Sequence, residues 1–109
     1  MNAVQAQLYQ AKKISVIAKS ADVLVREYVL GPGELIPWHH HTQVTDHYYS
    51  LEGMVLIETR APATRRELNP GESATVTPPT AHHVSNPSPN PCRFLLIQGV
   101  GEYDFVKEE

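Results

Sequence analysis

Cysteine is nearly missing from the 109-residue sequence, where Cys92 stands alone. A single thiol excludes an intramolecular disulfide and any zinc site built on several cysteines, and it fits a reducing compartment, so a cytoplasmic protein is expected. An excess of positive charge is missing too. Nine Lys and Arg against twelve Asp and Glu leave a formal charge of −3, which offers no basic field to a phosphate backbone and argues against nucleic-acid binding. Long apolar runs are absent: stretches such as Val23-Leu24-Val25 reach three residues or so, against the ~18 that a helix needs to cross a bilayer. No membrane association is expected. The opening residues are polar and interrupted by Asn2, Gln5, Gln7 and Gln10, so they carry no signal-peptide core and secretion is not expected.

Sustained helical periodicity is also lacking, and only the first dozen residues suggest a short helix. Instead, nine prolines and six glycines separate short segments rich in β-branched and aromatic residues. Strands are expected over residues 14–18, 23–30, 34–41, 46–51, 54–59, 73–77, 81–86 and 93–98. Between them lie Gly31-Pro32-Gly33, Glu52-Gly53, Asn69-Pro70-Gly71, Pro78-Pro79 and the proline-rich stretch 87–91, all of which turn the chain or deny a ladder hydrogen bond. Many short strands with regular turns predict an all-β barrel or sandwich. No repeat or linker divides the chain, so residues 1–109 are expected to form one domain with a core over about 14–106. A small all-β domain buries only about two thirds of its unfolded surface. A homodimer is therefore expected, with residues 14–30 as the strands that a second copy would cover.

Histidine is what the sequence does have. Six are present, four of them packed between His39 and His47 and two adjacent, His82 and His83. Side chains on a strand alternate faces, so His39 and His41 point one way while Trp38 and His40 point the other. Their Cα atoms would lie ~6.6 Å apart at ~3.3 Å rise per residue, a gap that two imidazoles can close onto one ion. Asp46 opens the next strand and brings a carboxylate, with Tyr48 and Ser50 on its face and His47 and Tyr49 opposite. His82 shares a face with Val84 and Asn86 about forty residues later. Against these stand plainer readings. His40, His47 and His83 fit surface or hydrogen-bonded roles, Tyr48 fits packing, and Cys92 fits a small hydrophobe with no base to activate it.

The run Gly33-Glu34-Leu35-Ile36-Pro37-Trp38-His39-His40-His41, then Asp46, then Gly53, resembles the first motif of the cupins: Gly, five residues, His-x-His, three or four residues, Glu, six residues, Gly. Residues 69–72 together with 78–86 resemble the second motif, in which a Gly is followed by Pro, Gly, His and Asn. The resemblance covers nearly the whole chain and implies a small conical β-barrel, jelly-roll-like, with a metal inside it. Carried over residue by residue, the metal ligands are His39, His41, Asp46 and His82. Asp46 stands where the family usually has Glu, one methylene longer, and serves either as a direct ligand or through water or a histidine N–H. Thr80 replaces the second motif's Gly. Counting from Pro78 selects His83 as the late ligand, whereas the interval to Asn86 and the shared face select His82.

Three imidazoles and a carboxylate suit a divalent transition metal such as Fe, Mn, Ni or Zn. The resemblance implies an enzyme of the dioxygenase, isomerase, decarboxylase or lyase class acting on a small oxygen-rich acid or sugar-like molecule, with Tyr48 and His47 as the candidates for proton transfer. The alternative is a non-catalytic module that binds a metal and a small ligand. A third reading is a purely structural barrel.

Overall fold

The computed structural model describes residues 11–109. Ten strands follow one another: β1 (Lys13–Lys19), β2 (Val23–Leu30), β3 (Leu35–His40), β4 (Thr45–Glu52), β5 (Val55–Thr59), β6 (Thr64–Leu68), β7 (Ser73–Val76), β8 (His82–Ser85), β9 (Cys92–Gly99) and β10 (Val106–Lys107). They form two antiparallel five-stranded sheets, ordered β1-β2-β9-β4-β7 and β10-β3-β8-β5-β6. All eight strands expected from the sequence are present. The helix expected over the first dozen residues falls almost wholly outside the described part of the chain, and no helix among the described residues is long and apolar enough to cross a membrane.

Two strands escaped the sequence reading. β6 (Thr-Arg-Arg-Glu-Leu) is an edge strand with every residue but Leu68 exposed, so it carries no alternation to detect, and its charges suit an unpaired edge. β10 is two residues long.

Inward-facing side chains of both sheets build the core, as alternation requires. Tyr28, Leu30, Tyr48, Phe94 and Leu96 come from the first sheet, and Ile36, Val55, Ile57 and Val84 from the second. Each large apolar side chain buried in this way contributes roughly 1.5–3 kcal/mol. Tyr28 and Phe94, cross-strand partners, stack with ring centroids 5.1 Å apart. Register then carries polar residues into the same interior. The pairs Leu24↔Gln98, Gln98↔Asp46 and Asp46↔Val76 make one continuous inward row, and Arg26↔Leu96, Leu96↔Tyr48 and Tyr48↔Ala74 make the next.

One irregularity positions the histidines. Between Ile36 and His39 the register of β3 against β8 shifts, three steps along β3 matching two along β8. The extra residue reverses parity, so Ile36 and His39 are both buried although they differ by an odd number. Pro37, which has no N–H to offer the ladder, lies inside this bulge. Its consequence is that His39 sits directly opposite His82.

Candidate metal centre

His39 and His41 on and just beyond β3, Asp46 on β4 and His82 on β8 place one ligand atom each within 4.8 Å of one another. All four are buried, at 3%, 2%, 0% and 1% exposure. The cluster therefore draws on both sheets.

The imidazoles are held in one tautomer by backbone carbonyls. His39 Nδ1 lies 2.6 Å from Pro37 O, His41 Nδ1 2.6 Å from Asp104 O, and His82 Nδ1 2.9 Å from Thr80 O. A carbonyl oxygen only accepts, so each Nδ1 must carry a proton, and each neutral ring keeps its lone pair on Nε2. Those Nε2 atoms point inward. His82 Nε2 is 2.9 Å and His41 Nε2 3.3 Å from Asp46 Oδ2. Neutral rings would thus aim lone pairs at a carboxylate, an arrangement that a cation among them, or a proton shared with Asp46, would satisfy.

Asp46 is positioned with equal care for both oxygens. The Tyr48 hydroxyl donates to Oδ2 at 2.7 Å, and the Gln98 amide donates to Oδ1 at 2.9 Å. Arg26 Nη2 donates to Gln98 Oε1 at 2.6 Å, which fixes the amide with its NH2 toward the cluster. From the other side the chain wraps residues 103–105 over the histidines. Phe105 stacks on His39 at 4.2 Å between centroids, the Tyr103 ring lies 5.5 Å from that of His41, and the Asp104 carboxylate accepts from Thr42 N and Oγ1.

Burial is the main force lowering His39, whose pKa falls to about 3 with the neighbouring His82 adding to the effect. His39 is therefore neutral near pH 7. Burial also opposes charge on His41, but the hydrogen bond and attraction of Asp46 outweigh it and raise that pKa. For Asp46, burial pushes upward, and His41 and His82, whose Nε2 atoms donate to it when the rings are protonated, outweigh that and hold the carboxyl well below its usual range. The carboxylate is ionised.

The remaining histidines lie elsewhere. His40 pairs with the Glu108 carboxylate, His47 sits on the outer face with Nδ1 3.5 Å from Thr75 Oγ1, and His83 packs by Trp38 with Nδ1 3.7 Å from Glu58. Of the two late candidates, His82 joins the cluster and His83 faces away. The shorter Asp46 side chain reaches the histidines directly. Three contributors were missed in the sequence: Gln98, Arg26 and residues 103–105. The first two left a signal, since each is a polar residue at the inward parity of an apolar strand (Phe94, Leu96, Gln98; Leu24, Arg26, Tyr28). The last follows no pattern.

The donor set is nitrogen and oxygen without sulfur, deprotonated or readily so, and buried. That chemistry fits a divalent first-row metal.

Comparison with known proteins agrees with this architecture. Among solved structures, an uncharacterized conserved protein with a double-stranded β-helix domain from Klebsiella pneumoniae superimposes with a TM-score of 0.76 at 22% identity, covering 100% of this chain and 97% of that one. The polyketide cyclase RemF from Streptomyces resistomycificus gives 0.76 at 19% identity over 92% of this chain and 74% of its own. An oxalate decarboxylase gives 0.77 at 20% identity over 89% of this chain, which spans 28% of that protein. At these identities the likeness is one of fold. No curated protein matches the sequence. The cupin domain family, however, matches residues 26–98, and the chain belongs to it.

Proposed function

We propose that residues 1–109 act as one cupin unit, with its core over about 14–106, in which His39, His41, Asp46 and His82 hold a single divalent transition metal. The ion, in turn, binds and activates a small oxygen-rich ligand. The observation that carries this reading is the triple Nδ1-to-carbonyl lock, which turns three Nε2 lone pairs and an ionised carboxylate toward one point. When bound, the metal supplies Lewis acidity toward an oxygen of the ligand. Tyr48 and Gln98 orient the carboxylate, Phe105 and Tyr103 exclude water from the histidine side, and the carbonyls keep the imidazoles from turning. Fold relatives that act on a polyketide and on oxalate, both rich in oxygen, support this ligand class.

A second reading, a metal and ligand binder without turnover, has an observation of its own. The Tyr48 hydroxyl donates to Asp46 and His47 lies on the outer face, so neither candidate for proton transfer is presented to a ligand. A homodimer also belongs to the proposal, supported by the exposure of Val16 and Ile17 on the edge strand β1.

Anaerobic reconstitution with Fe(II) or Mn(II), followed by a screen of small oxo-acids and diketones, tests the enzyme reading. Turnover abolished by His82→Ala supports it. Ligand binding without turnover selects the second reading, and turnover unchanged in His82→Ala contradicts the site.

A further inference from the structure

Two of the three carbonyls that fix the imidazoles are local and one is distant. His39 and His82 bond to residues two positions earlier in the chain, whereas His41 bonds to Asp104, 63 positions later. β3 ends at His40, so the backbone of His41 lies beyond that strand. Its Nδ1 is held by the segment 100–105, which runs between β9 and β10 without a strand of its own. This segment is fastened to the two residues after His41. Thr42 N donates to Asp104 Oδ1 at 2.9 Å, Thr42 Oγ1 to Asp104 Oδ2 at 2.7 Å, and Glu102 N to Gln43 Oε1 at 3.0 Å. Gly101 permits the approach, since at φ +150 a Cβ there would lie 3.0 Å from that of Gln43.

Asp104 acts through both of its ends. Its carboxylate grips Thr42 and its carbonyl accepts the His41 Nδ1 proton at 2.6 Å, so the side chain sets where the carbonyl stands. The grip lies at the surface, where water competes for each hydrogen bond and little net stability results. The cluster beneath it is buried. Segments held by exposed bonds open locally well before a strand core does. When this one lifts, His41 loses the acceptor that keeps its proton on Nδ1, and the Nε2 lone pair that a metal requires is no longer fixed. Metal binding and docking of the segment thus favour each other, and such coupling is reciprocal.

We propose that residues 100–105 form a strap over the metal centre and that Asp104 is the positioning residue that couples the two: the docked strap holds the ion, and the ion holds the strap. The proposal rests on the metal reading above. It gives residues that supply no ligand control over metal affinity. The competing role for Asp104 is that of a nearby negative charge, which attracts a cation whether or not it grips Thr42.

The test uses the full-length protein, stripped by chelator or loaded with Zn(II), with hydrogen exchange read by mass spectrometry and Zn(II) affinity by competition against a chelator. Bound Zn(II) should slow exchange in residues 100–105 about tenfold or more, while residues 64–68, on the far edge of the second sheet, change little. Asp104→Ala should weaken Zn(II) about tenfold and remove that protection even in metal-loaded protein. Asp104→Asn, whose amide accepts from Thr42 N and donates to the Thr42 hydroxyl, should stay within about threefold of wild type. Strap exchange unchanged by Zn(II), or slowed no more than residues 64–68, would overturn the proposal and leave the metal reading standing. So would full Zn(II) affinity in folded Asp104→Ala, or an Asp104→Asn variant as weak as Asp104→Ala, the mark of charge alone. A wild-type protein that takes up no Zn(II) would overturn both. Should the Asp104 variants fail to fold, exchange in wild type with and without Zn(II) decides alone.

Discussion

Gln98 shows how a single side chain can hold the site in order. Its amide ties Asp46 to Arg26, so Gln98→Leu should keep the fold and weaken metal binding about tenfold, the usual effect of losing a group that orients a ligand. Titration of the metal against a competing chelator measures it. Asn86 is buried, donating to Leu30 O at 2.9 Å and Asn90 O at 2.8 Å while accepting from Ser88 N at 3.0 Å and Ser88 Oγ at 2.9 Å. Asn86→Ala strands those groups and should cost about 2–3 kcal/mol, seen as a Tm loss on the order of 10 °C. Cys92 is buried, and burial raises its thiol to about 11. A folded value above the ordinary one means that the fold favours the neutral thiol. That contribution is complete below the ordinary thiol range and is lost as pH rises toward 11. Cys92 should therefore resist Ellman's reagent at pH 8 in the native protein and react at once in guanidinium.

Elements explain which parts of the site could be read in advance. Alternation along β4 and β8 placed Asp46 with Tyr48 and Ser50, and His82 with Val84 and Asn86, all of which are buried. At the end of β3 the pair His39 and His41 was legible for the same reason. The bulge at Pro37 was not, because parity across a strand gives no sign of an inserted residue. β6 and the 103–105 segment were invisible for a related cause: one is an exposed edge and the other has no repeat, so burial leaves no period in either. Turns could be read where glycine is obligatory. Gly53 has φ +67, and a Cβ there would lie 2.6 Å from Pro91 O, whereas Gly71 at φ +88 has nothing within 4 Å. Gly53→Ala should thus cost about 2 kcal/mol or more through strain and collision, and Gly71→Ala about 1 kcal/mol through strain alone. Denaturant midpoints of the two variants compare them directly. A larger loss at Gly71 would contradict the packing described around the β4–β5 turn.

Over the whole molecule, two sheets with ordinary apolar cores converge on an interior that is charged at one place. The fold there collects an ionised carboxylate, three imidazoles of fixed tautomer and a guanidinium, and a cation bound among them should stabilise the native state by mass action. About 2.7 kcal/mol is expected when the free ion is at a hundred times its Kd, so Tm should rise with added metal and fall back with chelator. The most direct measurement is the metal content of untagged protein, wild type beside His39→Ala/His41→Ala, with circular dichroism to show that both are folded. About one divalent ion per chain in the wild type and less than about a tenth in the double variant is the predicted result. Wild-type protein below a tenth of an equivalent, or a folded double variant that keeps its metal, would contradict the account.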